Sequence, residues 1–187
     1  MVNSTINRMI NPAFNRIAGV ASGVLLILAS IILAAPVGAQ EAPQQIRPPA
    51  NEQLLLRLHA KGDQVYICKA DAAQFNWTLK APDAQLFDQE GKSFGKHFAG
   101  PSWEANDGSR VTGKAVANAP SPDPDSIPWL LVNIVSHDGT GVLSRVTTIQ
   151  RINTKGGKAP ASGCDSSHVS EEVRVAYSAD YFFYAPK

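Results

Sequence analysis

Between residues 54 and 184 the chain is a succession of short apolar runs punctuated by turn residues, and none keeps a 3.6-residue amphipathic period through three turns. A segment without a continuous apolar stripe has no good way to pack as a long helix. Short runs bounded by Gly, Pro, Asn or Asp suit strands instead. Strand-like runs fall at 64–69, 75–79, 84–87, 93–98, 102–105, 110–116, 129–136, 142–143, 146–152, 173–177 and 181–184, while the leucines of 54–58 fit a strand or a short helix. Asp107-Gly108 between two such runs is a hairpin signal, because glycine there supplies positive φ without strain. The stretch 118–128 carries four prolines, each removing a ladder donor, and reads as a loop. A second long loop, rich in Gly, Ser and Ala, spans 154–167. Roughly nine to eleven strands at this spacing predict an all-β fold, an antiparallel β-sandwich or barrel-like single domain with long loops. No repeat of fixed period suggests a propeller or solenoid.

The first 39 residues are of another kind. Arg8 and Arg16 precede an apolar stretch from Ala18 to Ala35, Pro36 breaks it, and Val37-Gly38-Ala39 places small residues before the Ala39–Gln40 bond. Charge, apolarity and cleavage chemistry together predict a signal peptide over 1–39. The alternative is an uncleaved anchor, since the stretch approaches the length that spans a bilayer. A flexible Pro/Gln-rich leader, 40–50, then leads into a single secreted β domain, 51–187, placed outside the cell or in the periplasm. Removing the leader's two arginines leaves fifteen basic against sixteen acidic groups. Such a balance offers no electrostatic reason to bind nucleic acid or an anionic membrane. No second apolar run is long enough for a membrane helix, so no stable membrane insertion is expected after cleavage.

Cys68 and Cys164 are the only cysteines, and in an oxidising compartment one bridge between them is the simplest outcome. A catalytic thiol or a zinc site on both sulfurs are the alternatives; there is no C-x-x-C pair, and the zinc site would need histidines or carboxylates brought together by the fold. His59, His97, His137 and His168 stand at no metal-ligand spacing from one another, no G-x-S-x-G elbow occurs, and Gly156-Gly157 is too short for a phosphate cradle. No metal and no cofactor is therefore expected. The densest polar-aromatic stretch is 95–104, followed by Asp107-Gly108-Ser109. His97, Trp103 and Asp107, with Trp77 further off, are the candidate binding residues, on the ground that loops between rigid strands are where sites usually sit. The structural alternative makes Trp77, Trp103 and Trp129 core and Asp107 a turn residue. Tyr177 and the aromatic run 181–184 alternate between two faces, one of which would form a contact surface if exposed.

From Gln64 onward the order of segments resembles a known family. The matching pieces are Val65-Tyr66-Ile67-Cys68 with Trp77, Ala84-Gln85-Leu86-Phe87-Asp88, Gly95-Lys96-His97-Phe98-Ala99-Gly100-Pro101-Ser102-Trp103 and Asp107-Gly108-Ser109. They continue with Ile127-Pro128-Trp129-Leu130-Leu131, Ile149-Gln150-Arg151, Thr154-Lys155-Gly156-Gly157, Gly163-Cys164-Asp165 and Tyr177-Ser178-Ala179-Asp180-Tyr181. Together they are similar to DUF3455, an uncharacterised family of small secreted domains of bacteria and filamentous fungi. The resemblance implies one whole domain and brings no established activity. Two functions are then in view. One is a non-catalytic binding or surface-interaction domain for carbohydrate or another extracellular ligand. The other is a small extracytoplasmic hydrolase-like enzyme using His97 with Glu104, Asp107 or Asp180.

Overall fold

The computed structural model describes residues 42–72 and 74–187. The predicted signal peptide and its cleavage bond lie outside the described residues. After a 3-10 turn at Gln44–Ile46 come eight strands: β1 Glu52–Asp71, β2 Gln74–Phe87, β3 Ser93–Phe98, β4 Ser102–Ala105, β5 Arg110–Ala119, β6 Trp129–Asp138, β7 Thr148–Gly156 and β8 Glu172–Pro186. Each pairs antiparallel with the next, and β8 returns to pair with β1, so one sheet closes on itself. The ring is uneven, with β1 of 20 residues and β4 of 4. The all-β antiparallel expectation holds, in its barrel-like form.

The expected nine to eleven strands are too many. The runs 54–58 and 64–69 are one strand, as are 75–79 with 84–87 and 173–177 with 181–184. The polar links of β1 and β8 look like turns in sequence but carry ladder bonds on both sides, and 81–83 of β2 pairs with β1 alone. In β1, Lys61 faces Gln85 and Ser178, and Asp63 faces Asp83 and Ala176. Their charges turn outward, where Arg174 pairs with both Asp63 and Asp83. Val142 and Leu143 form no strand. They belong to the 139–147 connection, which folds under the barrel and seals its lower end with Leu143 and Val146, both fully buried.

Alternation fills the interior. Along β8, Tyr177, Ala179, Tyr181, Phe183 and Ala185 are buried, with Ser178, Asp180, Phe182 and Tyr184 between them half-exposed. Leu58, Ala60, Ala84, Leu86, Val111, Val132 and Ile149 complete the core around Trp103. Gly113 is required there, since a Cβ would stand 2.4 Å from a Val132 methyl and 3.3 Å from the Trp103 ring. The hairpin at 106–109 forms as expected. Gly108 has φ +88°, its N–H donates to Ala105 O at 3.0 Å, and Ala105 N donates to Ser109 O at 2.9 Å. This is a three-residue loop closed by a left-handed residue. The described part of the Pro/Gln-rich leader packs on the outside of the ring. Ile46 is fully buried beside Ala119 and Trp129, and Gln150 Nε2 donates to Ile46 O at 2.7 Å.

At the upper end β1, β2 and the start of β8 run beyond the ring, and the 157–171 connection lies over them. Cys68 and Cys164 form a disulfide. Around it Cys68 N donates to Glu171 O, Ser170 N to Cys68 O, and Trp77 Nε1 to Ser162 O, each at 2.9 Å. The bridge closes a loop of sequence separation 96, which on the chain-entropy account destabilises the unfolded chain by roughly 4–5 kcal/mol. Cys68→Ser/Cys164→Ser should therefore lower the urea midpoint by an amount worth about 2–4 kcal/mol, because relaxation takes back part of the ideal effect. An unchanged midpoint would show that the strand ladder alone holds the 157–171 segment.

Candidate functional site

The short β3–β4 hairpin leaves the wall of the ring incomplete. β2 pairs with β3 only from Ala84 downward, and β4 reaches β5 only at residues 110–112, with one further bond from Gly113 N to Pro101 O. Above that level β2 and β5 face each other with no strand between them. A cavity of about 670 Å³ opens in this gap. Leu79 and Pro82 of β2 form one side, Gly113 and Ala115 of β5 the other, and the Gly100-Pro101 turn forms the sill. Gln64, Leu130, Arg151 and His97 line it from within the ring. It is a lateral window into the barrel.

Three polar side chains meet there. His97 is buried and stacks on Trp103, with ring centroids 4.3 Å apart and planes 11° apart; Tyr181 meets the pair edge-on. Its Nδ1 lies 2.8 Å from Ser102 O. A carbonyl only accepts, so Nδ1 carries the proton and Nε2 presents a lone pair. Burial pulls the imidazole down to about 3, and Arg151 adds to the effect against the opposing Ser102 bond, so this histidine stays neutral. Gln64 is 2 % exposed, and its Nε2 has no hydrogen-bond partner. Arg151 lies opposite Leu130 and Tyr181 on the inner face. Its Nε and Nη2 donate to Pro128 O at 3.3 and 2.8 Å. Among the described residues no carboxylate pairs with it. Deeper in, the buried Tyr177 and Tyr181 hydroxyls adjoin each other, with Gln64 beside Tyr177, and none of the three makes a hydrogen bond of good geometry there; burial first, then the Tyr181 phenol, pushes Tyr177 far above its ordinary range against the opposing Arg151 and Gln64.

Of the candidates read from sequence, the fold brings His97 and Trp103 together, with His97 on the cavity and Trp103 behind it. Asp107 is elsewhere, at the lower end. It accepts from Ser109 N and Oγ and from Val142 N, and these bonds, the Ser109 hydroxyl first, hold its carboxyl below the usual range. It ties the hairpin to the 139–147 connection. Trp77 sits on the disulfide segment, and Trp129 is buried under Ile46. Glu104 pairs with Lys96 and Arg110, and Asp180 with His59 and Asn153. None of these carboxylates is a partner of His97. Gln64 and Arg151 were not singled out in sequence. The signal was available in their parity with Tyr66 and Ile149, but only once the inward face of each strand was known. Among the described residues no three metal-ligating side chains gather.

Fold and cavity together define a small closed antiparallel barrel with a polar-floored pocket in its wall. Residues 48–185 match the family described as Protein of unknown function (DUF3455), and the chain belongs to that family. No curated protein matches the chain. No solved structure matches it either.

His97 gives the site a pH signature. Its folded-state value lies below the unfolded 6.5, so its contribution is fully present above pH 6.5 and is lost as pH falls toward 3. Over that window the unfolded chain takes up a proton the folded chain refuses, a slope of up to about 1.4 kcal/mol per pH unit. His97→Gln should flatten this limb relative to the parent protein in pH-resolved urea melts. By NMR the His97 ring should remain neutral at pH 4.5, while exposed His168, raised by Asp165, protonates above its ordinary value. A His97 that titrates near 6.5 would place the ring in contact with bulk water.

Proposed function

We propose that this is an exported, non-catalytic binding domain that takes a small ligand through the lateral window. The observation that carries the reading is a cavity whose walls are apolar and whose inner end collects unpaired polar groups, Gln64 Nε2 foremost. A buried donor without an acceptor costs roughly 1–3 kcal/mol, and a ligand oxygen would remove that cost. Few converging polar groups in an otherwise apolar recess is the usual form of a small-molecule site. The exterior supports a domain surrounded by water, since charges such as Arg174, Asp63, Asp83, Lys80 and Glu172 pair across the outer face. The disulfide and the signal-like residues 1–39 support export to the periplasm or the medium. Carbohydrate binding on an exposed aromatic strip has less behind it, because Trp103 and Trp129 are buried. The hydrolase alternative lacks a carboxylate on His97.

N-phenyl-1-naphthylamine, an uncharged apolar fluorophore, should bind saturably at one site per chain. Ala115→Trp, which places an indole across an exposed rim position of the cavity, should weaken that binding at least tenfold and leave thermal stability nearly unchanged. Backbone NMR shifts should concentrate at residues 79–82, 97 and 113–115. Shifts confined to 177–184, or binding indifferent to A115W, would move the site away from the window. Secreted material should begin within two residues of Gln40, and recovery of chains retaining Ala18 to Ala35 would overturn the export reading.

A further inference from the structure

We infer that the ligand of the window is an apolar carboxylate, its head group held by Arg151 and Gln64 and its body by the window's apolar walls; this rests on the binding reading above. Two donors stand at the floor without protein acceptors. Gln64 offers an amide N–H with no acceptor, and Arg151 spends one edge of its guanidinium on Pro128 O, leaving Nη1 without a protein acceptor among the described residues. Arg151 is also a cation without a counter-ion in a recess of low polarity, where an anion is attracted far more strongly than in water. The third group, His97, gives the carboxylate no donor. It is neutral and presents an Nε2 lone pair, so it competes with no anion for the guanidinium and accepts from a hydroxyl if the ligand carries one.

A single negative charge suits this floor better than a phosphate, because Arg151 is the cation on the inner face, whereas Lys80 and Lys114 are exposed on the rim and Lys80 is paired with Glu172. The walls specify the rest of the molecule. Leu79 is 51 % and Val135 63 % exposed at the opening, large apolar side chains that water meets directly. With Pro82, Ala115 and Leu130 they line a path from the surface to the head-group site. The volume of about 670 Å³ admits an unbranched chain or a small ring system.

Titration calorimetry with dodecanoate and with its methyl ester on the full mature protein tests this. Dodecanoate should bind at least tenfold tighter than the ester, and 0.5 M NaCl should narrow the gap. Arg151→Gln should remove the preference by weakening dodecanoate at least tenfold while leaving the ester within about twofold, and Arg151→Lys should keep part of it. If R151Q fails to fold, the acid–ester comparison on the unsubstituted protein still decides. Equal affinity for acid and ester, or dodecanoate binding unaffected in R151Q, would overturn the carboxylate inference. Retained naphthylamine binding in the same samples would then show that the cavity reading stands without it. Absence of binding by the acid, the ester and the naphthylamine together would bring down both.

Discussion

β1 and β8 come from opposite ends of the domain, and their pairing, from Glu52 against Pro186 to Ile67 against Glu172, turns a meander of hairpins into a ring. Every other part of the molecule depends on that contact. Each of the seven hairpin pairings is local and encloses little apolar surface alone. Only when β8 lies against β1 do Tyr177, Ala179, Tyr181 and Phe183 reach Leu58, Ala60 and Trp103 across the interior. Closure also removes the two free edges that an open sheet would offer to other chains. The loop entropy of such a distant pairing has to be overcome before any of it is returned. The disulfide acts on the same step, because it joins β1 to the segment that leads into β8.

A ring that must close with one strand pair too short has a gap, and the short pair here is β3–β4. Its length has a local cause. The chain turns back at Gly100-Pro101, where Gly100 has φ +131° and a Cβ would stand 2.5 Å from the Ser102 hydroxyl, and proline can donate no ladder bond. The hairpin therefore stops one residue beyond His97, which puts that ring at the lip of the opening. Trp103 and Tyr181 pack against the imidazole from behind, while the rim is built from β2 and β5 residues that lack a strand partner across the gap. A recess with a packed floor and accessible sides follows from where one turn falls.

Much of this is legible in the residues. The alternation along β8, the Asp107-Gly108 turn and the Cys68–Cys164 bridge each rest on local chemistry or on the simple count of two cysteines. His97 and Trp103 could be grouped because a hairpin of this length puts both on one face, as their direct pairing shows. Asp107 was grouped with them by closeness in sequence, and the β4 strand carries it to the other end of the ring. The strand count failed where Lys61-Gly62-Asp63 resembles a turn. What makes those residues strand is the ladder on either side, and that ladder comes from residues 83–85 and 176–178. Gln64 and Arg151 stayed hidden for a related reason. A polar residue in a strand is ordinarily the outward one, and here Gln64 keeps the inward parity of Leu58 and Ala60, and Arg151 that of Ile149.

That inversion is the feature with the greatest energetic consequence. An apolar residue at Gln64 would pack against Tyr177 without an orphaned amide, and an apolar residue at Arg151 would remove a cation facing neutral histidine. Both changes would relieve desolvation that the fold now bears. Gln64 Nε2 and the Tyr177 and Tyr181 hydroxyls, all unsatisfied, lie in the upper half of the interior, while Leu143, Val146 and Phe183 fill the lower half, where the buried Ser109 hydroxyl is bonded to Asp107 and to Leu143 N. The binding role proposed above accounts for that placement, which puts the unsatisfied donors where the wall is thinnest. A barrel that admits a polar head group, as proposed here, would carry its unsatisfied donors at that depth, beside the break in the β2–β5 wall and above the Leu143, Val146 and Phe183 core.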